Sequence, residues 1–263
     1  MSRLALIVAA GGYGRRLGAG GPKQYVSLLG VPMLERTVQA LASCDEVSTL
    51  VVVVNAEDVA YCCDVVIGDR YPAVVEVVAG GAERALSVRN GLRALAARGG
   101  ADLVGTHDGA RPLVSCVEIR RLRERIEADA DVAGAILAVP STDTLKAVDA
   151  AGLITSTPAR AGLWRAVTPQ LFRWRPFLAA YEQPDDILAE ATDDAALVEA
   201  MGGSVAVVEG SPENLKVTTR VDVRLAELLL QERGSASVGS ASAGSAADRA
   251  SAYERAADST RAS

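Results

Sequence analysis

Residues 4–10, LALIVAA, run directly into residues 11–25, GGYGRRLGAGGPKQY. An apolar run that ends in small residues and meets a glycine-rich turn reads as a strand buried on both faces. It opens onto a loop that lets backbone N–H groups approach a ligand. The loop also carries Arg15, Arg16 and Lys23, in a chain whose formal net charge is -6. Its spacing fits neither common nucleotide loop. Gly12-Tyr13-Gly14 begins a G-x-G-x-x-G fingerprint, but Leu17 stands where the third glycine belongs. Pro22-Lys23-Gln24 closes the loop where a Walker A sequence needs Gly-Lys-Ser/Thr. What remains is a glycine cradle with Arg16 and Lys23 placed to clamp a triphosphate. The plainer reading, an ordinary strand-to-helix turn with solvated Arg and Lys, leaves the glycines unexplained, since each one adds unfolded-state entropy.

Outward from this loop, short β-branched runs recur at 49–55 (TLVVVVN), 74–80 (VVEVVAG), 101–108 (ADLVGTHD), 132–140 (VAGAILAVP) and 203–210 (GSVAVVEG). Between them lie helix-patterned segments at 33–43, 83–98 and 115–129. In the last, Val117, Ile119, Leu122 and Ile126 are expected to face the core and the arginines water. Strand and helix in alternation predict an open α/β sheet with right-handed crossovers. Residues 140–172 break the rhythm. TLKAV and GLITS around AAG predict a projecting hairpin, an arm of about 140–165 that could reach a second subunit. One domain is expected over 1–233, and the Ser/Ala/Gly-rich 234–263 as a disordered tail.

Composition narrows the function. Nearly half of the 263 residues are hydrophobic, enough for a full core, and no apolar run approaches the roughly 18 residues of a membrane span. The negative charge argues against nucleic acid or an anionic membrane as partner. Cys44, Cys62, Cys63 and Cys116 show no CxxC or zinc spacing. With no secretory leader read, buried thiols in a reducing cytosol are expected.

Further candidates follow the strands. GGAERALSV (80–88) offers Ser87 and the amides near Gly81 to a base or ribose, though a capped helix start looks the same. THDGARPLV (106–114) puts Asp108 just past a strand end, where open parallel sheets bind ligands and where a carboxylate suits Mg²⁺. The neighbouring His107, the only histidine, is read as structural. Thr144, Arg160, Thr168 and Lys216 read singly as surface residues.

Taken together the motifs are far more specific. AAG-x₃-R-x₆-PKQ, GGAERALSV, HDGARP, TDTLK, LWRAVTPQLF, TDDAALVE and ENLKVTT follow in this order. The combination resembles the 2-C-methyl-D-erythritol 4-phosphate cytidylyltransferase (IspD) family over roughly residues 4 to 230. The resemblance implies a Rossmann-like nucleotidyltransferase sheet, mostly parallel, with a protruding β-arm, in a cytoplasmic homodimer that uses CTP and Mg²⁺. It implies that Arg16 and Lys23 stabilise the transition state and that Arg160 and Lys216 orient the substrate phosphate. Ala9, Ala10, Gly11, Gly12, Gly81 and Ser87 are expected as the CTP shelf, and Asp108, Arg111, Thr144 and Thr168 as polyol-phosphate contacts, some crossing the dimer. Ala82 stands where many relatives carry Asp, Gly109 replaces an alanine, and the loop has an extra glycine before Tyr13 relative to some members. None of these departures touches the cationic residues. A cytidylyltransferase for ribitol 5-phosphate is the nearest alternative, a non-catalytic nucleotide sensor a second. Arg15 is expected to point away from the site.

Overall fold

The computed structural model describes residues 2–12 and 22–237; Arg15, Arg16, Leu17 and the tail from 238 lie outside the described residues. In chain order the strands are β1 (Leu4–Ala9), β2 (Ser27–Leu28), β3 (Val31–Pro32), β4 (Val47–Val54), β5 (Val74–Ala79), β6 (Leu103–Asp108), β7 (Val132–Pro140), β8 (Ala147–Val148), β9 (Ile154–Ser156), β10 (Trp164–Arg173) and β11 (Ser204–Glu209). The helices are α1 (Met33–Ala42), α2 (Val59–Tyr61), α3 (Arg84–Ala97), α4 (Cys116–Glu127), α5 (Trp174–Ala180), α6 (Asp185–Glu190), α7 (Asp194–Ala200) and α8 (Arg220–Ser237).

Seven strands form one sheet in the order β11-β7-β10-β6-β1-β4-β5. All neighbours are parallel except β10, which runs antiparallel to both β6 and β7. The apolar runs are continuous because both faces are covered. Leu4, Leu6 and Val8 of β1 face one core with Leu34, Val38 and Leu41 of α1 and Ile119, Leu122 and Ile126 of α4. Ala5 and Ile7 face a second core with Val88, Leu92 and Leu95 of α3 and Phe177 of α5. Each such aliphatic side chain contributes about 1.5–3 kcal/mol on burial. Among the described residues no helix is long and apolar enough to cross a membrane.

The chain runs from β1 outward to β4 and β5, then returns to place β6 on the other side of β1. This reversal opens a crevice at the carboxyl ends of the strands, the usual ligand position in such sheets.

Four expectations need correction. LWRAVTPQLF is not part of a surface excursion: Trp164–Arg173 is a central strand, with Val167, Leu171 and Phe172 buried. Its proline masks it in sequence. Thr168 and Pro169 sit where the β7–β10 register shifts, which is how a central strand tolerates a residue without N–H. The hairpin β8–β9 projects between β7 and β10 and is exposed throughout. In α4, Val117 is exposed, and Arg123 is buried with its guanidinium on Glu127. Cys44 and Cys116 form a disulfide; they are distant in sequence, but the end of α1 and the start of α4 lie side by side. Cys62 and Cys63 remain thiols, and burial pushes Cys62 up to about 12. Finally, α8 continues through Ser237, past the Gly234 at which the tail was expected to begin.

Gly134 of β7 pairs with Phe172 of β10, whose ring crosses the glycine and stacks on Phe177 at 4.7 Å. A Cβ there would lie 2.2 Å from Phe172 Cδ1 and 2.8 Å from the Leu171 carbonyl oxygen. Gly134→Ala is therefore expected to destabilise the fold by about 1–3 kcal/mol, measured as a lower urea midpoint at unchanged m-value.

Candidate active site

The crevice floor is built from strand ends. Ala10 donates its amide to the Val53 carbonyl at 2.7 Å, Gly80 to Val54 at 2.7 Å and Gly109 to Ala9 at 2.9 Å. These bonds tie the turns after β1, β5 and β6 to one edge. The residues there are small for steric reasons. A Cβ on Gly109 would lie 2.8 Å from Ala10 Cβ, so this glycine is tightly packed. A Cβ on Gly12 would sit 3.0 Å from Lys23 Cε, so the glycine makes room for the lysine stem.

Above this floor lies a cavity of about 520 Å³ lined by Ala9, Ala10, Gly11, Gly12 and Lys23 on one side and Gly81, Ala82 and Ser87 on the other. Asp108 and Lys216 form its inner wall. Ser87 shapes the second side: its Oγ accepts the Gly81 N–H at 3.0 Å and donates to the Glu83 carbonyl at 3.1 Å. A second cavity of about 330 Å³ adjoins the first, lined by Arg111, Thr168, Gln170 and Asp193. Arg84, Asp108 and Lys216 line both and so form the shared wall.

Asp108 is the hub of that wall. Lys216 Nζ lies 2.9 Å and Arg111 Nε 3.2 Å from its Oδ2, and Arg84 Nε 3.6 Å from its Oδ1. Burial alone would push this carboxyl up; Lys216, Arg84 and Arg111 outweigh it and hold the group well below the usual carboxylate range. The metal role expected of Asp108 does not fit. Both oxygens face cations, and a divalent ion could bind only by displacing one. Among the described residues no group of three or more His, Cys, Asp or Glu is arranged to hold a metal.

Backbone and side chains hold the hub in place. The Asp108 amide donates to Thr168 Oγ1 at 3.0 Å, and Thr168 Oγ1 lies 3.1 Å from His107 Nδ1. His107 Nε2 lies 3.0 Å from the Arg111 carbonyl, which can only accept, so Nε2 carries the proton and Nδ1 accepts from Thr168. Burial holds His107 neutral, with its pKa lowered to about 4. The histidine is structural, as its position abutting a strand suggested. Arg111 is fixed by its Nη1 donating to the Asn214 carbonyl at 2.8 Å, while Asn214 Nδ2 donates to the Thr168 carbonyl at 2.9 Å. Val217 N–H donates to the Ala110 carbonyl at 2.8 Å, so segment 211–219 straps Lys216 over the end of β6.

The fold thus gathers Ala9, Ala10, Gly11, Gly12, Lys23, Gly81, Ser87, Asp108, Arg111, Thr168 and Lys216 around two adjoining cavities. Thr144 and Arg160 line neither. Both are exposed on the arm, where Arg160 Nη1 donates to the Thr142 carbonyl at 3.1 Å. Arg16 lies outside the described residues. Sequence reasoning gave no role to Arg84 or Asp194, which pair at 2.8 Å. One signal was present: Arg84 opens α3, where the helix dipole disfavours a cation.

Comparison with known proteins agrees with this geometry. The family model described as "IspD: 2-C-methyl-D-erythritol 4-phosphate cytidylyltransferase" matches residues 4–232. The chain is similar to the 2-C-methyl-D-erythritol 4-phosphate cytidylyltransferase of Geobacter metallireducens, 42% identical over 236 residues that cover 89% of this chain and 99% of the relative. The enzyme of the same name from Nitrosomonas eutropha is 42% identical over 234 residues, covering 88% and 97%. Among solved structures, the 4-diphosphocytidyl-2C-methyl-D-erythritol synthase of Anaerococcus prevotii superposes with a TM-score of 0.73 at 29% identity, covering 87% of this chain and 96% of that one.

The neutral His107 has a consequence for pH. Its folded pKa of about 4 lies below the ordinary value of 6.5, so the unfolded chain binds the proton first as pH falls. The stability tied to neutral His107 is complete above pH 6.5 and declines from there toward pH 4 by up to about 1.4 kcal/mol per unit. Proton NMR of the single imidazole should show no titration between pH 8 and about 5, whereas an apparent pKa near 6.5 would contradict the buried hydrogen-bonded ring.

Proposed function

The chain belongs to the 2-C-methyl-D-erythritol 4-phosphate cytidylyltransferase family, and from that premise we propose how its geometry serves the transfer. The enzyme transfers the cytidylyl group of CTP to 2-C-methyl-D-erythritol 4-phosphate. It releases pyrophosphate and forms the CDP-polyol of non-mevalonate isoprenoid biosynthesis. The observation that carries the reading is the pair of adjoining cavities divided by Arg84, Asp108 and Lys216, one for each substrate.

CTP occupies the larger cavity, with its triphosphate over Gly11, Gly12 and Lys23 and its nucleoside toward Gly81 and Ser87. The polyol phosphate enters the smaller one, beside Arg111 and Thr168. A phosphate oxygen of the acceptor attacks the α-phosphorus of CTP in line. The new O–P bond forms as the bond to the β-phosphate oxygen breaks, and pyrophosphate leaves with the electron pair. The nucleophile is anionic near neutral pH, so no general base is required. The barrier is the repulsion between anions, and fixed cations lower it by positioning and charge neutralisation. Lys23 and Arg16 serve the triphosphate, and Lys216 exchanges Asp108 for the incoming phosphate. A divalent cation bound with CTP would supply further charge neutralisation, and Asp108, whose oxygens already face cations, would not serve as its ligand.

Thr144 and Arg160 belong to the reading through a homodimer in which each arm reaches the partner's cleft. The arm supports this, since Val148, Leu153 and Ile154 on it are 57–66% exposed, an apolar surface that a second copy would cover. A cytoplasmic setting goes with CTP as donor. Ribitol 5-phosphate is not favoured as acceptor, because the relatives carry the methylerythritol name.

A coupled pyrophosphate assay with CTP and each polyol phosphate tests the substrate; turnover preferring ribitol 5-phosphate would refute the assignment. Lys23→Ala is expected to lower kcat by about 10²-fold or more, and a folded variant with full turnover would remove Lys23 from the chemistry. Arg160→Ala should raise KM for the polyol phosphate and spare that for CTP. Mixing Lys23→Ala with Arg160→Ala subunits should restore activity, because a mixed dimer has one site with both residues. No restoration after subunit exchange would place Arg160 in its own chain's site.

A further inference from the structure

Asp194 opens α7 and is wholly buried beneath the cleft. It lines neither cavity, yet it is heavily engaged. Its Oδ2 accepts from Thr106 Oγ1 at 2.6 Å and from Arg84 Nη2 at 2.8 Å, and its Oδ1 accepts from the Tyr181 hydroxyl. The helix has no need of it as a cap, because Asp193 Oδ1 already accepts the Ala196 N–H at 3.0 Å. Thr106 and Tyr181 are neutral hydroxyls on different oxygens, able to accept as well as donate, so an amide here could satisfy both, its oxygen accepting from one and its NH₂ donating to the other. The negative charge of Asp194 therefore answers to one group, the guanidinium of Arg84, its ion-pair partner among the described residues. Burying a carboxylate is costly unless it is paired, so the pair is held firmly.

Arg84 has the complementary geometry. It lines both cavities, and its side chain is 34% exposed while anchored from beneath by Asp194. Nη2 is directed to Asp194 and Nε faces Asp108 at 3.6 Å. Nη1 has no hydrogen-bond partner among the described residues. A fork of N–H groups fixed along two edges presents its third to whatever lies at the junction. Three cations are ion-paired here with two carboxylates, so the ion-paired set carries one excess positive charge, with the Asp193 carboxylate lining the smaller cavity beside it.

We propose that Asp194 is a positioning residue of the transfer, acting through Arg84: it holds the guanidinium at the junction of the two cavities, where its outward N–H groups meet the phosphoryl oxygens on which the substrates converge. The proposal rests on the cytidylyltransferase reading above.

The test is steady-state pyrophosphate release by the full chain with CTP and 2-C-methyl-D-erythritol 4-phosphate, in wild type, Asp194→Asn, Arg84→Ala and the double variant. Asp194→Asn keeps the size and a hydrogen-bond acceptor and loses the charge that fixes Arg84. Its kcat should fall roughly tenfold to a hundredfold, the scale of a misplaced catalytic contact, with KM for either substrate changing less. In the Arg84→Ala background the same substitution should cost nothing further. Losses that multiply would show the two residues acting independently, and multiplication overturns the proposal, as does a folded Asp194→Asn with wild-type kcat; a merely structural role would lower stability without this selective fall in kcat. If Asp194→Asn does not fold, Arg84→Lys decides: it keeps the charge but cannot span Asp108 and Asp194, so it should show the same kcat loss, and full activity refutes the role. A wild-type chain that releases no pyrophosphate with either polyol phosphate overturns the transferase reading and this inference with it. An active wild type with multiplicative losses overturns the inference alone.

Discussion

A single buried carboxylate, Asp108, organises the catalytic edge of the sheet. Three cations from separate segments close on it: Arg84 from the start of α3, Arg111 from the turn after β6 and Lys216 from the strap before α8. Without that charge the three would face one another across a few ångströms. Removing the buried Asp108 carboxylate would leave these charges without their compensation, most of all that of buried Arg111. The constraint explains why segments far apart in the chain meet at one wall. It also explains why that wall suits phosphate: its carboxylates fix the cations in place without fully cancelling them.

The sheet makes the hub possible. Asp108 ends β6 beside β1, at the point where strand order reverses, and the crevice lies above these tied strand ends. β10 then contributes from the other side, with Thr168 receiving the Asp108 amide and Gln170 reaching Asp193. Neutral His107 sits below as a relay between Thr168 and Arg111. A buried imidazole suits this position because it accepts on one edge and donates on the other without adding a fourth positive charge.

Much of this was legible in the sequence. The runs at β1, β4, β6 and β7 announce themselves because strands covered on both faces have no polar alternation to confuse them, and the edge strands β5 and β11 were legible from their valine runs. The glycine turns at 11–12 and 80–81 were readable for a related reason, since both make room for a neighbouring side chain. β10 was hidden because its proline speaks against a central strand, and only the register shift at Thr168–Pro169 reveals how it is tolerated. Arg84 and Asp194 were missed because an ion pair 110 positions apart has no periodicity. The cysteine pair escaped for the same reason. Val117 was misread although it lies two residues, about 200° of helix, before Ile119 and so off the stripe of Ile119, Leu122, Arg123 and Ile126.

The antiparallel insertion of β10 has a consequence for how the enzyme is built as a machine. Asp108, Thr168 and Gln170 stand on adjacent hydrogen-bonded strands in the middle of the sheet, flanked on both sides by further strands. The relative position of these groups is settled when the chain folds, and substrates need not order them on arrival. Local opening, which loosens loops and helix ends long before a central sheet, leaves this part untouched. Adaptation to new acceptors is then confined to the periphery, in the arm, the glycine turns and the strap bearing Lys216. The central strands act as a fixed datum against which those peripheral parts are set.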